Sequence, residues 1–475
     1  MDLLNSLIGT INDFMYGYIL VGLLVIVGIY FTIRTGFVQF RLLPNGIKQI
    51  MEKNENKSAV SSFQALMIST ASRVGIGNIA GVATAIAAGG PGAVFWMWLI
   101  AILGASSAFI ESTLAQIYKV KYGEEFRGGP SYYIQKALGQ RWLGIIFSVA
   151  LIACFAYGFN SLQANNIVSA FSHYFGGEYP SIVVPAIIGL ILASATAFII
   201  FKGQKYIAFI SSIIVPVMAL TYMALGLFII VKNIAILPET FASIFVSAFD
   251  FQSFSGGLMG SSILWGIKRG LFSNEAGMGS APNAAASADV SHPVKQGLVQ
   301  AISVFIDTLL ICSTSAFIIL ISGVDYSKLK AMPLVQQAVS SQVGEWGIGF
   351  ITLSVFFFAF SSIIGNYYYT ESNIMFIQNK SNASLTLFRI TCVIAVFLGS
   401  IAGYDFVWNL ADVLMGIMAL INIVVILIIG NTAILALKDY SEQLKNGKNP
   451  VFSAKALGIK NTEVWDIPSQ TSKEA

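Results

Sequence analysis

Eleven long apolar runs dominate the chain and leave little room for any architecture but a helical membrane protein. A helix needs roughly 20 mostly apolar residues to cross a hydrocarbon core about 30 Å thick. Runs of this kind occupy 16–33, 64–87, 91–118, 142–170, 181–201, 205–231, 255–275, 296–322, 347–378, 385–403 and 407–437. None alternates apolar with polar residues, so a transmembrane β-barrel is excluded. Composition agrees: 56% of the 475 residues are hydrophobic and 11% charged, against about a quarter charged in a soluble domain. Cys154, Cys312 and Cys392 all fall inside apolar runs, which argues for small buried hydrophobes rather than disulfides or a metal site. The first 15 residues carry no Lys or Arg, so no cleaved signal segment is expected.

Basic residues are retained on the cytoplasmic side of a membrane, so their distribution gives the orientation. With the N-terminus outside, the inner segments 34–62, 119–141, 202–205, 268–295, 380–389 and 438–475 hold 23 of the 27 Lys and Arg. The outer loops hold Lys232, Lys328 and Lys330, and Arg73 lies within a span. The segment 42–57 reads either as a short amphipathic stretch on the inner surface or as a solvated loop. The polar tail, 438–475, is expected to be mobile.

Setting the first span aside leaves ten. The expected organisation is an N-terminal span and surface segment (1–63), a first half (64–231), an outer loop (232–254), a second half (255–437) and the tail. Five spans per half force the halves into opposite orientations. Each half opens on a helix with a glycine interruption, Val74-Gly75-Ile76-Gly77-Asn78 in the first and Trp265-Gly266 to Gly270 in the second. A broken helix in lipid exposes N–H and C=O groups that lipid cannot satisfy, so it is tolerated only where something polar meets it. Matching breaks in inverted halves point to a transporter's central site. The competing reading, close helix packing at small residues, is accepted for Ala80, Gly81, Ala83 and Ala85.

Several stretches carry a family resemblance: VGIGNIAGVATAIAAGGPGAVFWMW (74–98), RGGPSYYI (127–134), WGIKRGLFSNEAGMGSAPNAAASA (265–288), FIDTLLICS (305–313) and FAFSSIIGNYYY (358–369). The chain resembles, over its whole length, the alanine or glycine:cation symporters, sodium-coupled amino-acid carriers of prokaryotic membranes. The resemblance implies an all-α LeuT-like fold of five-plus-five inverted repeats behind a peripheral first helix. It also implies a cell-membrane location and import of a small neutral amino acid with Na+ as coupling ion, without an organic cofactor or nucleic acid.

A zwitterion offers a carboxylate and an ammonium. Free amides at a helix break, here those of Ile76 and Gly77 beside Gly75 and Asn78, suit the first. Exposed carbonyls at that break and near Trp265 and Gly266 suit the second. The fold sets Gln163 against the first break, with Phe272, Ser273 and Asn274 opposite. By resemblance, one sodium site uses the carbonyls of Ala71 and Val74 with the hydroxyls of Ser361 and Ser362; Asn78 serves a second ion or the substrate. Arg73 requires an acidic partner, with Glu275 and Asp307 as candidates for an inner gate pair. Glu111 and Glu371 read as residues near inner span ends. The family pattern has Thr where Ile76 stands and Trp where Asn366 stands, which points to a pocket for a side chain larger than methyl, such as glutamine.

An enzyme is disfavoured: His173 and His292 are the only histidines, both in loops, and neither HExxH nor GxSxG occurs. A channel would need a continuous polar lining. A proton-coupled carrier stays open because of Asp307 and Glu275.

Overall fold

The computed structural model describes residues 2–52, 59–123, 125–249, 262–329, 331–378 and 382–465. Its long helices are α1 (Ser6–Arg34), α5 (Gly92–Ile117), α6 (Arg141–Phe175), α7 (Val183–Ile200), α8 (Gln204–Lys232), α10 (Pro293–Ile321), α11 (Trp346–Ile377), α12 (Asn382–Ile401) and α13 (Tyr404–Lys445). Between them lie a short surface helix, α2 (Leu43–Ile50), a bent pair, α3 (Ser62–Arg73) and α4 (Gly77–Gly89), and α9 (Ser262–Asn274).

Among the described residues, nine helices are long and apolar enough to cross a membrane, or ten with the bent pair as one span. The eleventh expected span, 255–275, is represented by α9 alone. Its 13 residues reach about 20 Å at 1.5 Å each, and 255–261 lie outside the described residues, as do 53–57 of the surface segment, Lys330, Lys380 and the tail beyond 465. The segment between the two expected halves contains a helix of its own, Leu237–Ala248.

Small residues let the central helices approach closely. Gly266 and Gly270, four apart on α9, face Ala93, Trp96, Met97 and Ile100 of α5. Gly297 of α10 faces Phe109 and Thr113 of α5, and Gly28 of α1 faces Leu103. The helix start at α3 is a capping box: Ser61 Oγ accepts from the Gln64 amide at 3.1 Å and Gln64 Oε1 accepts from the Ser61 amide at 3.0 Å. Among the described residues, four π-helical turns widen the ladder, at Met15–Leu20, Gly77–Gly81, Ala153–Phe159 and Phe305–Cys312. Such turns are rare and gather at functional sites.

Three expectations are corrected here. First, α9 runs without interruption through Gly266–Gly270. Those glycines form a packing face, and the backbone leaves the helix later, at Glu275–Ala281. There Glu275, Gly277 and Gly279 take φ of 54°, 82° and 84°, left-handed values that glycine adopts without a Cβ penalty. Second, Lys268 and Arg269 belong to no loop; both are buried in α9 and pair with Asp412 of α13. They therefore say nothing about which side of the membrane is basic. Third, the tail is packed up to Trp465. Phe452, Ala454 and Ile459 are buried, the Phe452 amide donates to Ser291 O at 2.9 Å, and Trp465 Nε1 donates to Gln116 O at 2.9 Å. Its apolar residues, spaced among polar ones, find a groove that exists only in the folded bundle.

Candidate functional site

The first break lies where the sequence puts it. Helix α3 ends at Arg73, the chain turns through Val74-Gly75-Ile76, and α4 leaves at 53° to α3. A Cβ on Gly77 would stand 2.8 Å from the Phe272 ring, and one on Gly75 would collide with Ser362 Oγ. Glycine is thus required by close approach on both sides. The freed amides have partners. Gly75 N–H donates to Asn78 Oδ1 at 3.0 Å, and Ile76 N–H donates to Gln163 Oε1 at 3.1 Å. Gln163 therefore occupies the amide expected to meet a substrate carboxylate.

Asn78 also reaches across. Its Nδ2 donates to Asp307 Oδ1 at 2.7 Å, while Asp307 Oδ2 accepts from Ser273 Oγ at 2.7 Å and Thr308 Oγ1 at 2.9 Å. Cys312 Sγ lies 3.3 Å from Asn78 Nδ2 and 3.1 Å from Ser273 Oγ, and Asn274 Nδ2 donates to Thr308 Oγ1 at 3.3 Å. This knot joins the first break, the end of α9 and the π turn of α10. Its carboxylate is 1% exposed and is met by neutral donors. A buried carboxylate so placed is a ready oxygen ligand for a monovalent cation or a seat for a proton.

The second break is held by a residue read from the sequence as peripheral. Glu111 of α5 is fully buried. Its Oε1 accepts from Gly277 N–H at 3.2 Å, and its Oε2 accepts from Gly279 N–H at 3.0 Å and from Asn422 Nδ2 at 2.7 Å. Tyr133 Oη donates to Asn422 Oδ1 behind it. The signal that would have found this break is the repetition of Gly-x-Gly, Gly75-Ile76-Gly77 and Gly277-Met278-Gly279.

Asn366 is buried but tied up. Its Nδ2 donates to Asn160 Oδ1 at 2.9 Å, and the Ser72 hydroxyl lies 2.6 Å from its Oδ1 and 3.0 Å from Glu275 Oε1. Ser280 Oγ donates to Glu275 Oε2. Ser361 and Ser362 both donate to Phe358 O, at 2.9 and 3.0 Å. Their oxygens keep lone pairs for a cation. Ser362 faces Gly75, and Gly365 packs on Ala71 and Ser72, so Ala71, Val74, Ser361 and Ser362 share one neighbourhood. Trp265 and Gly266 do not join the breaks; they sit beside Lys268, Arg269 and α5.

The expected pairing of Arg73 with Glu275 or Asp307 is not formed. Its guanidinium donates from Nη1 to Ser303 Oγ and to Gln300 Oε1, the latter at 3.4 Å. Beside the break, Phe272 lies between Phe159 and Trp408, its ring tilted to both, at centroid distances of 4.8 and 5.3 Å. Arg269 lies over Trp408 at 4.4 Å and forks onto Asp412 at 3.1 and 2.8 Å. On the opposite side Glu371 meets Arg127 at 3.4 Å and Arg389 at 3.6 Å. Ile76, Gln163, Phe272 and Asn366 are buried, so the centre is shielded from solvent.

Residues 1–454 match the family described as the sodium:alanine symporter family. The chain belongs to that family. Similar relatives include the amino-acid carrier protein AlsT of Bacillus subtilis, 49% identical over 98% of both chains. The probable sodium/glutamine symporter GlnT of the same organism is 45% identical over 98% of this chain and 97% of its own. The sodium/alanine symporter AgcS of Methanococcus maripaludis is 38% identical over 93% and 98%. Among solved structures, MhsT in complex with L-phenylalanine aligns at a TM-score of 0.58 and 16% identity, over 80% of this chain and 96% of that one, which shows the LeuT-type fold. This sodium:alanine symporter family member is a multi-pass membrane protein and an amino-acid transporter, not an enzyme.

Proposed function

We propose that this family member is a sodium-coupled symporter that brings a small neutral amino acid into a prokaryotic cell by alternating access. The observation that carries the reading is the Asp307 knot, where the first break, the end of α9 and a π turn converge on one buried carboxylate with neutral donors. Sodium favours oxygen ligands. Asp307, Ser273 and Thr308 supply them at one position, where Asn78, whose Nδ2 faces Asp307 and whose oxygen accepts from the Gly75 amide, adds an oxygen only by turning its amide over. Ala71, Val74, Ser361 and Ser362 supply them at a second. The substrate carboxylate displaces Gln163 Oε1 from the Ile76 amide, and Gln163 then turns its Nε2 donor to the substrate. The Gly77 amide adds to this, with Phe272 as the lid.

The organisation we infer is a five-plus-five inverted repeat, 64–231 and 255–437, behind a peripheral first helix, with eleven spans in all. The N-terminus lies outside and the C-terminus in the cytoplasm. The likeness in fold to MhsT over 80% of this chain and the paired Gly-x-Gly breaks support this. For the substrate, alanine and glycine are the first candidates. Ile76 and Asn366, which depart from the family pattern, and the likeness to a probable sodium/glutamine symporter favour glutamine as well.

The test is uptake into proteoliposomes at fixed pH with a sodium gradient, or potassium in its place, followed by competition with all twenty amino acids. Uptake that is indifferent to sodium rejects the coupling. A second reading, proton coupling, draws on the same buried Asp307 and on Glu275; uptake driven by a pH gradient without sodium would select it.

A further inference from the structure

We propose that Arg73 is an internal counter-ion for Asp307: it rests on Gln300 and Ser303 while the coupling cation is bound, and swings one helical turn onto Asp307 when the cation leaves. The inference rests on the symport reading above and adds the fate of the empty carrier.

Arg73 is 2% exposed, and only Nη1 has hydrogen-bond partners; Nε and Nη2 have none among the described residues, nor has Gln300 Nε2. Leaving buried charged donors without partners is costly, so this resting place is a poor one unless a better partner is taken in another state. The better partner lies further along α10. Gln300 and Ser303, three apart, share a face of α10, and Asp307, in the π turn that follows, lies within electrostatic range of Arg73. The step from Ser303 to Asp307 is one turn, about 5.4 Å, within the sweep of an arginine side chain. Asp307 in turn is held by Asn78, Ser273 and Thr308, all neutral. A free anion filling the unused donors is disfavoured because Glu111, Glu275 and Asp307 all lie within range of the guanidinium; a fourth negative charge would be repelled.

The consequence is that Asp307 has a positive partner in both the loaded and the empty state. With cation bound, Asp307 is neutralised by it. When the cation leaves, Arg73 takes its place, the knot stays neutral, and the empty carrier can return. Sodium and guanidinium therefore compete for one carboxylate.

The test uses the full-length protein in proteoliposomes, with Arg73→Gln, Arg73→Lys and Ser303→Ala. Arg73→Gln removes the competitor. Its half-saturating sodium should fall about fivefold, and net uptake should fall about tenfold while amino-acid exchange, which needs no empty return, is kept. Ser303→Ala removes the resting partner and should raise half-saturating sodium about threefold. Arg73→Lys, which keeps a charge, should recover net uptake in part. Parallel loss of exchange and net uptake in both Arg73 variants, or sodium shifts of the same sign in Arg73→Gln and Ser303→Ala, overturns the counter-ion. If the unaltered protein ignores sodium, the symport reading fails instead. The exchange-to-uptake ratio then still judges Arg73, because a proton on Asp307 would compete with it in the same way. Stimulation of the unaltered protein by chloride at constant sodium, lost in Arg73→Gln, would assign the free donors to an anion and overturn the proposal.

Discussion

Glu111 and Asp307 are both buried carboxylates with three donors, and removing one oxygen's charge should injure the protein in opposite ways. Around Glu111 the donors are the Gly277 and Gly279 amides and Asn422 Nδ2. The two backbone amides cannot turn to accept, and Asn422 is held as a donor by Tyr133 Oη on its oxygen and Gly277 O on its Nδ2. In Glu111→Gln the best orientation keeps two donors on the oxygen and sets the new NH2 against the Gly277 amide. One backbone N–H and one side-chain donor are then buried unmade, and the remaining bonds lose their charge assistance. At about 1–3 kcal/mol per orphaned group the loss is about 4 kcal/mol. Around Asp307, two of the three donors are the hydroxyls of Ser273 and Thr308. In Asp307→Asn these rotate to accept from the new NH2, while the oxygen keeps Asn78, so the fold should lose only about 1 kcal/mol. The charge, however, is gone. A cation 4 Å from a carboxylate gains about 4 kcal/mol at an effective dielectric of 20, and losing half of that raises half-saturating sodium roughly 30-fold. Thermal unfolding in detergent followed by size-exclusion should place Glu111→Gln several degrees below the parent and Asp307→Asn near it. Sodium titration of uptake should shift for Asp307→Asn. Equal unfolding temperatures for the two variants would refute the donor argument. An unmoved sodium dependence in Asp307→Asn would remove Asp307 from the cation site.

Three further outcomes are expected. His292, at the start of α10, accepts from the Val294 amide at Nδ1 and faces Asp439 through Nε2; burial holds its pKa down to about 4. A base lowered in the fold binds fewer protons there than in the unfolded chain. Its stabilising contribution is therefore complete above about 6.5 and is lost as pH falls from there towards 4. Limited proteolysis of the tail should accelerate over that window, and His292→Asn should flatten the dependence. Gly77→Ala drives a methyl to 2.8 Å from Phe272; overpacking of about 1–3 kcal/mol should weaken substrate binding about tenfold, with Phe272→Leu restoring part of it in a binding assay. Asp412→Asn strands Lys268 and Arg269 in the interior, where breaking a buried pair costs about 3–5 kcal/mol. The yield of folded protein should collapse, and adding Lys268→Met should recover it in part.

The membrane character, the positions of nine of the spans and the first break followed from local chemistry. A run of apolar residues has one solvent available to it, and Gly75-Ile76-Gly77-Asn78 cannot continue a helix in lipid without polar company. The family was legible for the same reason, since its motifs are contiguous in the chain. What lay beyond reach were decisions made between helices. Gly266 and Gly270 carry the same composition signal as a break, yet they face Ala93 and Ile100 and serve packing. Glu111 lies more than 160 residues before the amides it caps, so no local pattern could join them. Lys268 and Arg269 read as basic loop residues until Asp412 arrives from α13 to pair with both. One sequence window records which groups need partners; which partner each obtains depends on distances across the bundle, and those exist only once the helices have packed.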